Sequence, residues 1–138
     1  MAADGYSRTS QRKQFGVALV QSQAGAENAM GGIAQAYADN IPILVLLGGI
    51  SLNQIGVKPN FSALQKYQGW VKQVEYMLSP YEVGNVMRRA FNALRNGPPG
   101  PVVVEMTSDV CSLEIPKDFE NYHSPSSAQV IPSQNDTR

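Results

Sequence analysis

The order of apolar and polar positions along the chain predicts two strand-helix-strand units. Apolar runs of strand length occupy residues 16–20, 41–47 and 102–106, and residues 70–77 alternate between apolar and polar side chains. Helix-forming sequences separate these runs at residues 26–37 and again after Ser79. Strands joined through a helix cannot pair as hairpins, so they should run parallel. We therefore predict an α/β fold with three layers, in which helices flank a parallel sheet.

The second helix has the clearest boundaries. Ser79, Pro80 and Glu82 provide an N-cap, a first-position proline and an early acid, and apolar residues recur at helical spacing up to Leu94. A rigid turn of glycines and prolines at residues 97–101 then leads into the last strand. This helix joins the strands at residues 70–77 and 102–106 into the second strand-helix-strand unit.

Three other segments have a less regular pattern. Residues 2–10 resemble the end of a helix, and residues 48–67 read as a long loop with one helical turn near residues 62–66. Loops of that length usually serve a site. The glycine pair at residues 31–32 predicts a closely packed neighbour, because glycine weakens a helix unless something compensates. The predicted domain covers residues 1–112, and the Pro- and Ser-rich residues 113–138 are predicted to be a linker or tail.

Charge and cysteine content exclude several classes of function. The 11 basic and 11 acidic residues cancel, and no basic stripe along the sequence favours nucleic acid or a membrane surface as a partner. The longest apolar run contains Pro42 and is too short to cross a bilayer. With one cysteine there is no internal disulfide, which is typical of a reducing, cytoplasmic location. We expect a small molecule or another protein as the partner.

The topology predicts where a ligand would bind. In open parallel sheets, ligands lie beyond the carboxyl ends of the strands, which here means residues 22–28 and 48–51. Gly25 suits either a close backbone approach to a ligand or a simple strand-to-helix turn, and it is the residue expected to supply a positive φ. Asn28 could face a ligand or cap the exposed amides of a helix. Glu27 is expected to complement the helix dipole rather than act as a base.

The remaining reactive side chains have ordinary interpretations. Cys111 follows the last strand without a histidine near it in sequence, which favours an idle thiol over a nucleophile. His123, the single histidine, lies in the predicted tail, so no catalytic triad is expected. Arg88 and Arg89 are expected to face solvent, with a partner subunit as the alternative.

Several motifs, in order, resemble the N-terminal pyrimidine-binding domain of thiamine diphosphate enzymes of the acetolactate synthase type. Residues 3–8, ADGYSR, are similar to the family's A-D-G-Y-A-R, and residues 25–28, GAEN, fall where the family has G-A-T-N. Ala36, Asp39 and Pro42 fit the pattern A-x-x-D-x-x-P. Later matches to G-P-V and D-V stand at residues 100–102 and 109–110. The resemblance covers roughly residues 2–112.

The resemblance implies a function for the whole enzyme and a smaller role for this chain. The family consists of 2-oxoacid decarboxylases and carboligases that work as homo-oligomers or with a complementary chain. One subunit's pyrimidine domain holds the aminopyrimidine ring of thiamine diphosphate, while a partner's diphosphate domain, absent here, binds Mg²⁺. The resemblance leaves open whether the full-length enzyme also binds FAD. The substrate class is a small 2-oxoacid.

Carried over residue by residue, the resemblance implies that Ala24, Gly25 and Asn28 contact the cofactor. It implies no catalytic residue and no metal ligand in this chain, because the family's glutamate lies upstream of A-D-G-Y, before Met1. The family's S-G-P-G stands here as residues 22–25, SQAG, and no role is carried to Gln65. The chain is thus expected to be an incomplete pyrimidine-binding domain, inactive alone and prone to associate. The alternative is a noncatalytic interaction module derived from such an enzyme.

Overall fold

The computed structural model describes residues 1–115, 117, 119 and 122–128. Helices and strands follow in this order: α1 Ala2–Thr9, β1 Gly16–Val20, α2 Ala24–Ala38, β2 Ile43–Gly48, α3 Leu64–Tyr67, β3 Gln73–Met77, α4 Val83–Arg95 and β4 Val102–Met106. Single 3₁₀ turns occupy Leu52–Gln54, Pro80–Glu82 and Val110–Ser112. The four strands form one parallel sheet in the order β1-β2-β4-β3, which confirms the predicted α/β class.

The elements differ from the predicted boundaries in ways that local chemistry explains. Strand β2 begins at Ile43, after Pro42, whose missing N–H cannot join the ladder. Strand β3 begins only at Gln73, because Trp70 packs its ring against Tyr67 with the centroids 5.2 Å apart. Ser79 caps the 3₁₀ turn before α4, accepting a hydrogen bond from the amide of Tyr81 at 3.3 Å. Ser79 is thus confirmed as a cap of this 3₁₀ turn, whereas the α-helix itself begins at Val83, after Glu82.

Helices cover both faces of the sheet, which confirms the three layers. The first face carries α1, α2 and α3, and its buried core includes Ile33, Ala36, Val45, Leu47, Tyr67 and Val103. The second face carries α4, and its buried core includes Leu44, Val86, Ala90, Leu94, Val102 and Val104. Successive residues of the central strands alternate between these two clusters, as a pleated sheet requires.

A buried serine fixes α1 against the sheet. The Ser7 hydroxyl donates to the Pro42 carbonyl at 2.7 Å and accepts from the Gly16 amide at 2.8 Å. The helix lies so close to β1 that a Cβ atom at Gly16 would sit 2.2 Å from the Ala3 carbonyl oxygen. Residues 2–10 thus contain two complete turns of helix, seated on the first strand.

Edge strand β1 is covered on only one face. Val17 and Leu19 share the α4 face with Leu44 and Leu46, their partners in register, yet they are 55% and 76% exposed. Helix α4 packs on β2, β3 and β4 and does not reach over these two side chains. This uncovered apolar patch supports the predicted tendency to associate.

The predicted neighbour of the paired glycines is not found in the described part of the chain. A Cβ atom at Gly31 would have nothing within 4 Å, and one at Gly32 would meet only Met1, at 3.9 Å or more. Part of the predicted tail, residues 122–128, contacts the end of α4, where Arg95 donates to the Ser124 hydroxyl at 2.7 Å. No helix in the described residues is long and apolar enough to cross a membrane.

Candidate functional site

The loops after β1 and β2 meet at the carboxyl edge of the sheet, as the topology predicts. A Cβ atom at Gly48 would sit 3.3 Å from the Ser22 amide nitrogen, so the absence of a side chain lets the two backbones adjoin. Beyond Gly48, the amide of Gly49 donates to the Met106 carbonyl at 2.6 Å and ties in the end of β4. The two segments singled out from sequence therefore form one surface.

The turn from β1 into α2 is made by a residue that sequence reasoning did not select. Gln23, the N-cap of α2, has φ +54° and ψ −108°, whereas Gly25 already lies within the helix. The prediction that Gly25 supplies the positive φ is therefore wrong. Gln23 stands where the resembling family has its first glycine, and its side-chain amide donates to Asn60 Oδ1 at 3.1 Å. That bond tethers the turn to the long loop after β2.

Asn28 lies beside a small cavity rather than on the turn itself. The cavity, of about 240 Å³, lies between α1, α2 and the sheet, and Asp4, Val20 and Gly32 are among the other residues that line it. Asp4 Oδ1 is buried without a hydrogen-bond partner in the described part of the chain, while its Oδ2 accepts from Arg8 Nε at 2.8 Å. A buried acceptor near an amide can receive a donor from a bound molecule.

Ala24 and Gly25 do not line that cavity. Ala24 is exposed and Gly25 half-buried in the first turn of α2, where the Gly25 amide donates back to the Ser22 carbonyl at 3.3 Å. Glu27 follows in the same turn and forms an ion pair with Lys66 of α3. The first turn of α2 thus has small, uncharged residues at the surface, and its acidic residue, Glu27, is already in an ion pair.

A second set of contacts ties the loops after β2 and β4 together. The Ser51 and Ser108 hydroxyls lie 2.8 Å apart, and the Leu52 amide donates to Asp109 Oδ2 at 2.6 Å. Thr107, the residue before Ser108, is fully buried, and its hydroxyl has no partner in the described part of the chain. These bonds fix the long loop at its start.

Glu105 is the main polar residue that sequence reasoning missed. Its carboxylate, 2% exposed, accepts from the Ser62 hydroxyl at 2.8 Å and from the Leu64 amide at 3.2 Å. Tyr76 donates to its other oxygen at 3.4 Å. Burial raises the pKa of Glu105, and these hydrogen bonds oppose the rise. The sequence did contain a signal for it, a single acid inside an apolar strand. Such a residue is expected to be buried with its carboxylate hydrogen-bonded.

The other candidate residues take no part in the contacts described above. Cys111 and His123 are exposed, and Gln65 is an exposed residue of α3. Arg89 forms an ion pair with Glu75 at 2.7 Å, while Arg88 donates to the side chain of Asn85. In residues 1–115, 117, 119 and 122–128, no group of three or more His, Cys, Asp or Glu side chains could hold a metal ion.

An open parallel sheet with its loops gathered beyond the carboxyl ends defines an α/β domain of the class in which ligands bind at that edge. The family described as thiamine pyrophosphate enzyme, N-terminal TPP binding domain, matches residues 1–76, and the chain belongs to that family. Thiamine pyrophosphate is another name for thiamine diphosphate.

Curated relatives agree with this membership. The chain is 34% identical over 131 residues to the probable acetolactate synthase large subunit of Methanocaldococcus jannaschii, covering 94% of this chain and 22% of that protein. It is 37% identical over 120 residues to acetolactate synthase isozyme 3 large subunit of Escherichia coli, covering 78% of this chain and 19% of that protein. The acetolactate synthase large subunit of Lactococcus lactis is 32% identical over 122 residues, covering 82% and 20%. The chain thus spans about a fifth of these relatives' length.

Proposed function

We propose that this chain supplies the pyrimidine-holding part of a thiamine diphosphate-dependent 2-oxoacid decarboxylase or carboligase of the acetolactate synthase type. The observation that carries the proposal is the left-handed turn at Gln23, which directly follows Ser22, the residue whose backbone adjoins Gly48 at the carboxyl edge of the sheet. A positive φ at a residue other than glycine is costly, and such strain persists where the surrounding structure enforces it, often at ligand sites.

The residues at this edge fit an uncharged, flat ring. Ala24 and Gly25 present little side-chain bulk, and Asn28 adds an amide that can both donate and accept. Ala24 and Gly25 lie outside the cavity that Asn28 lines, and inside that cavity the unpartnered Asp4 Oδ1 offers an acceptor for an amino group. When bound, thiamine diphosphate supplies the electron sink for breaking the bond beside the carbonyl of a 2-oxoacid.

The role we assign to this chain is binding and orientation. Asn28 would hold the ring by hydrogen bonding, and the backbone from Gln23 to Gly25 would set the depth to which the ring enters. The Gln23–Asn60 bond would keep the long loop over this edge and limit the access of water. We assign no catalytic residue to the chain. We further propose that a partner subunit supplies the Mg²⁺ and diphosphate contacts and that the assembly is a homo-oligomer or pairs with a complementary chain.

A chimeric enzyme tests the proposal. The matching segment of the Methanocaldococcus jannaschii relative would be replaced by residues 2–112 of this chain, and acetolactate formation from pyruvate would be measured at increasing thiamine diphosphate. We expect activity, and we expect Asn28→Ala to raise the half-saturating cofactor concentration about tenfold, the effect of losing one or two hydrogen bonds to a ligand. Asn85→Ala, an exposed amide on α4, is the matched control.

The outcomes separate the proposal from the alternative of a noncatalytic interaction module. The uncovered Val17 and Leu19 are the observation that favours the alternative. A folded chimera that assembles but shows neither activity nor cofactor binding supports the interaction module. A chimera whose cofactor dependence is unchanged by Asn28→Ala rules out the proposed ring contact.

A further inference from the structure

A second cavity lies at the opposite edge of the sheet from the proposed cofactor site. It is a cleft of about 660 Å³ at the amino ends of β1, β2 and β4, between the loop that precedes β1, the end of α4 and the glycine-proline turn. We call it the amino-end cleft. The residues that define it here are Tyr6, Arg12, Lys13, Gln14, Phe15 and Arg95.

The amino-end cleft concentrates positive charge in a chain whose formal net charge is zero. Arg12, Lys13 and Arg95 contribute three cations, and no Asp or Glu is among its described lining residues. The Asp39 carboxylate, which interacts with the charge of Arg12, already forms an ion pair with Arg8 at 2.7 Å. Because sequence separates Arg95 from the other two cations by more than eighty positions, only the fold assembles the cluster.

Backbone and packing hold these cations in place. Gln11 and Arg12 both have left-handed φ values, +54° and +63°, a costly conformation for residues other than glycine. The guanidinium of Arg12 donates to the Asp39 carbonyl at 3.2 Å. Arg95 lies 5.3 Å from the centroid of the Phe91 ring and uses Nη1 to bond Ser124. Both arginines are therefore oriented before any ligand arrives.

Size and chemistry restrict the ligand. A cleft of about 660 Å³ falls within the range of small-molecule sites and is far larger than a single phosphate needs. Two guanidinium groups and an ammonium match the oxygens of adjoining phosphates, to which arginine binds in a forked geometry. Phe15 and Tyr6 add aromatic surface on which a flat base can pack.

We propose that the amino-end cleft binds the phosphate chain of a nucleoside triphosphate or of inorganic polyphosphate. This site is distinct from the one that holds the pyrimidine ring, because it lies at the amino ends of the same strands. Both ligands present a row of anionic phosphates to the three cations. Only the nucleotide also has a base that can pack on the aromatic side chains. A nucleotide should bind more tightly than inorganic triphosphate if its base packs on Phe15 or Tyr6.

Calorimetric titration of the 138-residue chain tests the site. ATP and inorganic triphosphate would be added in separate experiments, each up to about 1 mM, at two salt concentrations. We expect saturable binding that weakens as salt rises, because the contacts are charge-assisted. Lys13→Gln and Arg95→Gln should each weaken binding about tenfold or more. Lys58→Gln removes an exposed cation from the long loop and should leave binding unchanged.

Each outcome decides a point. Tighter binding of ATP assigns the site to nucleotides, and equal binding assigns it to inorganic phosphate chains; either supports the proposal. Absence of saturable binding by both probes overturns it, as does an equal loss in the Lys58→Gln variant. Circular dichroism of every variant verifies that a loss of binding is not a loss of folding. The cofactor test above uses acetolactate formation and Asn28, so either proposal can fail while the other stands.

Discussion

Replacing Gly16 with alanine should separate α1 from the sheet. The added Cβ atom would lie 2.2 Å from the Ala3 carbonyl oxygen and 2.6 Å from its Cα. Both are backbone atoms, so no side chain can rotate away, and the helix itself must move. Overpacking of this kind costs about 1–3 kcal/mol, and a clash with backbone belongs at the upper end. Displacing α1 would also stretch the bonds that Ser7 makes to Gly16 and Pro42.

Urea unfolding followed by circular dichroism measures this loss. At a slope of about 1.5 kcal/mol per molar urea, a cost of about 3 kcal/mol lowers the midpoint by about 2 M. Gly31→Ala is the matched control, since its Cβ atom would meet nothing within 4 Å. In a helix that substitution should raise stability by about 0.5–1 kcal/mol. If Gly16→Ala unfolds within about 0.5 kcal/mol of the unaltered chain, the size of a neutral surface substitution, then α1 does not seat on β1 as described.

Two further predictions concern charged side chains. Burial raises the pKa of Glu105 above its usual 4.5, so the native state binds this proton more tightly than the unfolded chain does. The free energy of unfolding should therefore fall as pH rises from 4.5 toward the native pKa. Glu105→Gln should remove that part of the fall, as measured by urea unfolding near pH 4.5 and near neutrality; parallel pH dependences in the two proteins would contradict it. Arg89→Met should cost about 0.5–1 kcal/mol at low salt by breaking the ion pair with Glu75, and less in concentrated salt. Arg88→Met is the control, and an equal cost for Arg89→Met at both salt concentrations would refute the electrostatic explanation.

The sequence was most informative where one local signal and the tertiary environment agree. The apolar run at residues 102–106 became the central strand β4 because both of its faces are covered. The cap at Ser79 and the periodic residues after it located α4 because capping and burial of one face act together. Pairing of parallel strands then followed from connectivity, without any information about long-range contacts.

Features that depend on residues distant in sequence could not be predicted. The turn conformation at Gln23 belongs to a residue with no preference for it, and the bond to Asn60 that holds it spans 37 positions. The three hydrogen-bond partners of Glu105 come from two other segments of the chain, so these bonds could not be predicted from the sequence around Glu105. The same holds for the amino-end cleft. At the candidate cofactor site, the segments were predicted and the residue that bends the backbone was not.

The position of β1 at the edge of the sheet has a dynamic consequence. Among the strands that the structure describes, β1 pairs only with β2, and its Val17 and Leu19 are not covered by α4. Amide hydrogens of such a strand exchange with solvent sooner than those of the central strands. The turn at Gln23 directly follows β1, so the surface proposed to bind a coenzyme ring is attached to an edge strand rather than to a central one. A second polypeptide that packed along β1 would therefore stabilise the proposed ring-binding turn without contacting the ring.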